Sequence, residues 1–119
     1  MHWDWACLSG CFGVSKIEPT DVDGLIESKG RFLFLETKSP GTPIPQGQQI
    51  MFNALLELPF TVIIIWGWPG EPEEICIWPE KREKANLKKL RNVVMTWYKG
   101  NKIAHPESVG EEQFTGRLF

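Results

Sequence analysis

Residues 60–66 read "FTVIIIW": six apolar side chains in seven, with three isoleucines in a row. Neighbouring side chains on a strand point to opposite faces, so a strand with this pattern must be covered on both sides. Its β-branched content favours strand over helix. The run is about a third of the ~20 apolar residues that cross a bilayer, so it predicts no membrane partner. It predicts instead the middle strand of a sheet with helices on both faces. A chain of 119 residues can build one such core, and residues 1–119 are expected to form a single domain.

The flanking segments supply the covering. "QGQQIMFNALLEL" has helical spacing, with Ile50, Ala54 and Leu58 four apart, Met51 and Leu55 likewise, and Pro59 as the stop. After the loop "GWPGEPEE" and a short strand "ICIW", the stretch "EKREKANLKKLRNVVMTWYK" predicts the longest helix. Leu87, Leu90, Val94 and Trp97 would line its buried side, with Gly100 as its end. "HWDWACLSGCF", residues 2–12, predicts a short helix that carries Trp3, Cys7 and Cys11 on one face. From Asn101 onward the chain is polar with mixed charge, and loose structure is expected. The expected architecture is α/β: a small mixed central sheet flanked by helices.

Three cysteines, an odd number, argue against a disulfide framework and fit a reducing compartment. Asp4 stands near the N-terminus where a signal peptide would be basic, so a cytoplasmic protein is expected. His2, Cys7, Cys11 and Cys76 lack the paired close spacing of zinc sites, and core packing is the expected role of the cysteines. The six tryptophans offer surfaces on which bases stack, yet most should fill the core of so small a domain. A formal charge of −2 does not mark a nucleic-acid binder, but a local patch matters more than the sum. Lys81, Arg82, Lys84, Lys88, Lys89 and Arg91 form such a patch on the polar side of the last helix. DNA phosphate contact and a solvated helix face explain it equally well.

Charge also appears where a core should be. "PTDVDGLIESKGRFLFLETK", residues 19–38, has the pattern of two strands around a Lys29-Gly30 turn. With that turn, Ser28 faces Arg31 and the same register sets Asp23 opposite Glu36. Facing Cβ atoms lie ~4.5–5.5 Å apart, where two carboxylates repel. Lys38, on the face of Glu36, reduces the repulsion, and a divalent cation between the oxygens would remove it more fully. Mg²⁺ takes hard oxygen ligands, commonly one or two carboxylates plus waters.

This hairpin resembles the active-site hairpin of the PD-(D/E)XK nuclease superfamily, in the compact form of phage-encoded nucleases and RecB-like domains. Asp23 matches the motif aspartate and Glu36-Thr37-Lys38 the E-x-K, with a thirteen-residue offset from Asp23 to Glu36. Gln48 and Phe52 match the Q-x-x-x-(Y/F) element of the following helix. The resemblance covers roughly residues 17–66. It implies a restriction-endonuclease-like α-β-β-β-α-β core and a Mg²⁺-dependent deoxyribonuclease, with Mn²⁺ able to substitute. Asp23, Glu36 and the Thr37 carbonyl would hold the metal, Lys38 would assist the water, and Gln48 would orient the site or contact substrate. Glu18 would be an extra acidic ligand. A phage or mobile-element origin, action in the host cytoplasm and a homodimer that cuts both strands are further expectations. Asp21 interrupts the motif and is the other candidate ligand; the register and spacing favour Asp23. A catalytically silent nuclease fold that binds nucleic acid or another protein is the alternative, and an incidental surface salt bridge is the plainest one.

Overall fold

The computed structural model describes residues 3–100. The expected helix over residues 2–12 is replaced by one 3₁₀ turn, Trp5–Leu8, which buries none of its residues. Asp4 caps it through the Ala6 N–H at 2.8 Å, but Gly10 and Gly13 adopt φ of 87° and 67° and prevent the helix from continuing. A short helix without a packing partner is not sustained by propensity alone. Cys7 and Cys11 are exposed, so only Cys76 is the core cysteine that the sequence predicts.

The hairpin has the expected turn and register, but its ladder stops at Gly24, so Asp23 and Glu36 are not a ladder pair. Strand β1 (Gly24–Ser28) pairs antiparallel with β2 (Arg31–Lys38), Ser28 opposite Arg31 and Gly24 opposite Leu35. Lys29 and Gly30 have φ of 55° and 80°. Positive φ at both central positions is the type I′ turn whose twist suits a hairpin. The Gly30 N–H donates to Glu27 Oε2 at 2.9 Å.

After β2 the chain crosses over through helix α1 (Gln46–Leu55) and returns as β3 (Phe60–Trp68), parallel to β2. β3 is the middle of a five-stranded sheet of order β1-β2-β3-β4-β5. β4 (Glu71–Ile77) and the two-residue β5 (Glu83–Lys84) complete it, both antiparallel to their neighbours. The last helix, α2 (Leu87–Tyr98), is shorter than its sequence suggests. Glu83 and Lys84 pair with Ile75 and Glu74 instead of extending the helix, and Asn86 caps the new start through the Lys89 N–H at 2.9 Å. Tertiary pairing here overrides local helix propensity. The sequence from Asn101 onward lies outside the described residues, as does His2.

Two cores form, one on each face of the sheet. Leu33, Ile63, Ile75 and Ile77 meet Val93 and Trp97 of α2 on one face. Phe34, Val62, Ile64, Trp66 and Cys76 meet Phe52 of α1 on the other. Leu87, expected on the buried side of α2, is 47% exposed. Arg31 fixes the C-terminal end of α2, donating to the Trp97 and Tyr98 carbonyls at 2.7 and 3.2 Å with its guanidinium over the Trp97 ring. A cation at the carbonyl end of a helix is favourably placed. The tryptophans do not mostly fill the core: Trp66 and Trp97 are buried, whereas Trp3, Trp5 and Trp68 are exposed.

Candidate active site

Along β2 the even-numbered side chains face α1. Phe32 and Phe34 are apolar, and then Glu36 and Lys38 carry charge into the same layer. Glu36 is only 6% exposed, and both charged side chains of the Glu36–Lys38 pair are nearly buried. A carboxylate so deeply desolvated needs compensation. Its Oε2 has two partners: Lys38 Nζ at 3.6 Å and the Gln48 side-chain amide, which donates at 2.9 Å. Its Oε1 is buried with no partner, and so is Oε1 of Gln48.

Gln48 arrives there because of the crossover. The loop before α1 is tied to the sheet by the Trp66 indole N–H, which donates to the Thr42 carbonyl at 2.6 Å. Pro45 starts the helix without a side-chain cap, and its carbonyl accepts from the Gln48 and Gln49 N–H groups. This puts Gln48 in the first turn, directly over the end of β2.

Asp23 stands one residue before the β1–β2 ladder begins. Its Oδ2 accepts from the Thr37 backbone N–H at 2.8 Å and from the Thr37 hydroxyl at 3.0 Å. The ladder ends at Leu35 on this side, so the carboxylate supplies the acceptor that Thr37 would otherwise lack. In an antiparallel ladder a residue's N–H and C=O face the same neighbour, so the Thr37 carbonyl faces this same open edge. Asp23 is thereby tied to Thr37, while Glu36, Lys38 and Gln48 form their own cluster on the α1 face of the same strand end. Asp21 and Glu18 are elsewhere: both lie on the exposed segment before β1 and line a wide depression with Trp3 and Trp5. Of the two aspartates, Asp23 is the one bonded to the E-x-K strand.

The basic patch is placed differently from expectation. Only Lys88, Lys89 and Arg91 belong to α2; Lys81 and Arg82 precede β5, and Lys84 lies within it. Arg82 pairs with Glu74 at 2.7 Å and lies 3.9 Å above the Trp66 ring, on the α1 face. Lys89 pairs with Glu83 at 2.8 Å. Lys84 and Lys88 are exposed.

Among the described residues, no three of His, Cys, Asp and Glu gather as a metal-binding group. The donors on offer are two carboxylates, an amide oxygen and a backbone carbonyl. They are all hard oxygens, and Glu36 Oε1 and Gln48 Oε1 are buried without a protein partner. This set suits Mg²⁺, which keeps much of its water, and does not suit zinc. No protein-family model, curated protein or solved structure matches the chain.

Proposed function

We propose that the protein is a metal-dependent deoxyribonuclease of PD-(D/E)XK type, with its site at the end of β2. One observation carries this: Glu36 is buried with Oε2 shared by Lys38 and Gln48 while Oε1 and the neighbouring Gln48 oxygen have no partner. Buried polar atoms are mostly paired, so two adjacent buried oxygens without a protein partner support a ligand at this point. The β-β-α-β run with parallel β2 and β3 supports a restriction-endonuclease-like core, which is part of the same proposal.

Asp23, Glu36 and the Thr37 carbonyl would hold Mg²⁺, with Mn²⁺ as a substitute. When bound, the metal supplies charge to polarise a phosphoryl oxygen and acidify a water. Gln48 fixes the rotamer of Glu36 by donating to Oε2, which leaves the buried Oε1 without a protein partner. Lys38 places its ammonium beside the reacting phosphate, where it orients the attacking water and offsets negative charge that grows in the transition state. Proposed with this function are a cytoplasmic setting, in the host if the gene is carried by a phage or mobile element, and a homodimer for cutting both strands. Among the described residues, no helix is long and apolar enough to cross a membrane.

The alternative is a catalytically silent fold that binds nucleic acid or another protein. It is favoured by one contact, the double hydrogen bond that occupies Asp23 Oδ2. Nicking of supercoiled plasmid separates the two. The wild-type chain should nick in Mg²⁺ and not in EDTA, and Lys38→Ala should slow nicking about 10²–10⁴-fold. DNA binding without metal-dependent nicking would establish the silent alternative.

A further inference from the structure

The other face of the same strand end carries a feature that the hydrolytic site does not use. Between the β3–β4 hairpin and the first turn of α2 lies a cleft of about 540 Å³. Thr37, Lys38 and Ser39 form one end of it, so it begins where the candidate active site stops. Ile65, Pro72, Leu87 and Leu90 supply apolar walls, and Trp68 stands at the rim with 57% of its surface exposed. A mostly apolar cleft with a few polar groups at one end has the make-up of a ligand site.

The position of Trp68 is set by the backbone. The β3–β4 register shifts between Trp66 and Gly67, which pairs with Pro72. Gly67 has φ of 151°, and an added Cβ would collide with the Glu71 carbonyl. Only glycine fits there. A bulge of this kind re-aims the side chains beyond it, and here it directs the next residue away from the regular alternation of β3.

Charge decides between occupants. Among the described residues no acidic side chain lines the cleft; Lys38 borders it, with its ammonium against Glu36 in the α1 layer. Leu87 and Leu90 are each followed on α2 by an exposed cation, Lys88 and Arg91. An exposed indole, an apolar cleft free of acidic side chains and exposed cations at the adjoining helix positions are the combination with which proteins hold single-stranded nucleic acid. We propose that this cleft accepts an unstacked base of a single-stranded DNA segment beside the phosphate held at Lys38, with Trp68 as its stacking surface. The proposal rests on the nuclease reading for its substrate and adds to it a preference for unpaired DNA.

Binding in EDTA tests this apart from hydrolysis. Fluorescence anisotropy would follow three labelled probes: a single-stranded oligonucleotide, its duplex, and a strand of equal length containing only abasic sites. Wild-type chain should bind the first more tightly than the other two. Trp68→Ala should weaken the first about tenfold and leave the others unchanged, while Trp68→Phe should retain most of the affinity. Leu87→Glu, at an exposed position of the same lining, should reproduce the loss. Equal affinity of wild type and Trp68→Ala for the single strand would overturn the proposal, as would equal losses on duplex and abasic strand, or failure of wild type to bind the single strand. Plasmid nicking reports separately. Nicking that persists while Trp68 proves irrelevant removes the base cleft alone, and Trp68-dependent binding without nicking removes the nuclease alone.

Discussion

The two faces of the sheet are built from the same strands and solve different problems. On the α2 face, Leu33, Ile63, Ile75, Val93 and Trp97 form an apolar layer, and burial alone accounts for it. The α1 face starts the same way with Phe34, Phe52, Val62 and Ile64. Toward the end of β2 it then buries Glu36 and Lys38 under Gln48. Alternation lets one strand do both, because odd and even residues never share a layer. That end thus buries an acid with one oxygen lacking a protein partner, which costs stability.

The largest stability effect should come from the apolar face. Trp97→Ala, at a residue 1% exposed, should cost about 3–5 kcal/mol in urea unfolding. A loss under 1 kcal/mol would mean that α2 is not part of the cooperative core. The charged end of the other face should respond to metal. At a hundredfold excess over its dissociation constant, Mg²⁺ or Mn²⁺ should add about 2.7 kcal/mol, read as a higher melting temperature. Glu36→Gln should abolish that gain while leaving the metal-free protein as stable as before or slightly more so. A metal-induced shift that survives in Glu36→Gln would place the cation elsewhere, and no shift in wild type would reduce the site to a buried ion pair.

Cys76 sharpens the comparison within the apolar part of the α1 face. Its thiol donates to the Glu80 carbonyl at 2.9 Å, and burial, partly opposed by Arg82, pushes its pKa from 9.0 up to about 11. The folded state thus holds this proton more tightly than the unfolded chain. Its contribution is complete below pH 9.0 and is lost as pH rises through about 11. Melting temperatures should fall more steeply across that window in wild type than in Cys76→Ala, and parallel curves would refute the assignment. The smallest effect belongs to neither face. Lys29 adopts φ of 55°, a conformation that costs a non-glycine residue about 1–2 kcal/mol. Lys29→Asn should recover roughly 0.5–1 kcal/mol of it without altering the metal response. Destabilisation by this change would point to an unrecognised contact of the lysine.

Much of this contrast was legible in the residues. Alternation along β2 sufficed to set Glu36 and Lys38 on the face opposite Leu33 and Leu35, and the Lys29-Gly30 turn fixed the facing pairs as far as Gly24 and Leu35, one short of Asp23 and Glu36. The helical glutamine was legible too, and it does reach Glu36. What stayed hidden depends on partners distant in the chain. Residues 83–84 look helical until β4 offers them a ladder. The N-terminal segment looks helical until it finds no surface to pack on. Ile50 and Leu58 have core spacing but are 62% and 56% exposed, because the sheet meets α1 through Phe52 instead. The role of Asp23 in capping the Thr37 N–H was equally invisible, since it arises only where one strand outlasts its neighbour.

The parallel pairing of β2 with β3 has a consequence for how such a protein can be rewired. Because α1 is the crossover itself, the acid, the amine and the glutamine are parts of one uninterrupted polypeptide loop of the topology. New termini opened at Lys29-Gly30 would spare that loop, whereas termini opened between residues 39 and 45 would unhook Gln48 from the strand it serves. Evolution can therefore trade the outer strands or lengthen the tips, but it must inherit this β-α-β segment whole.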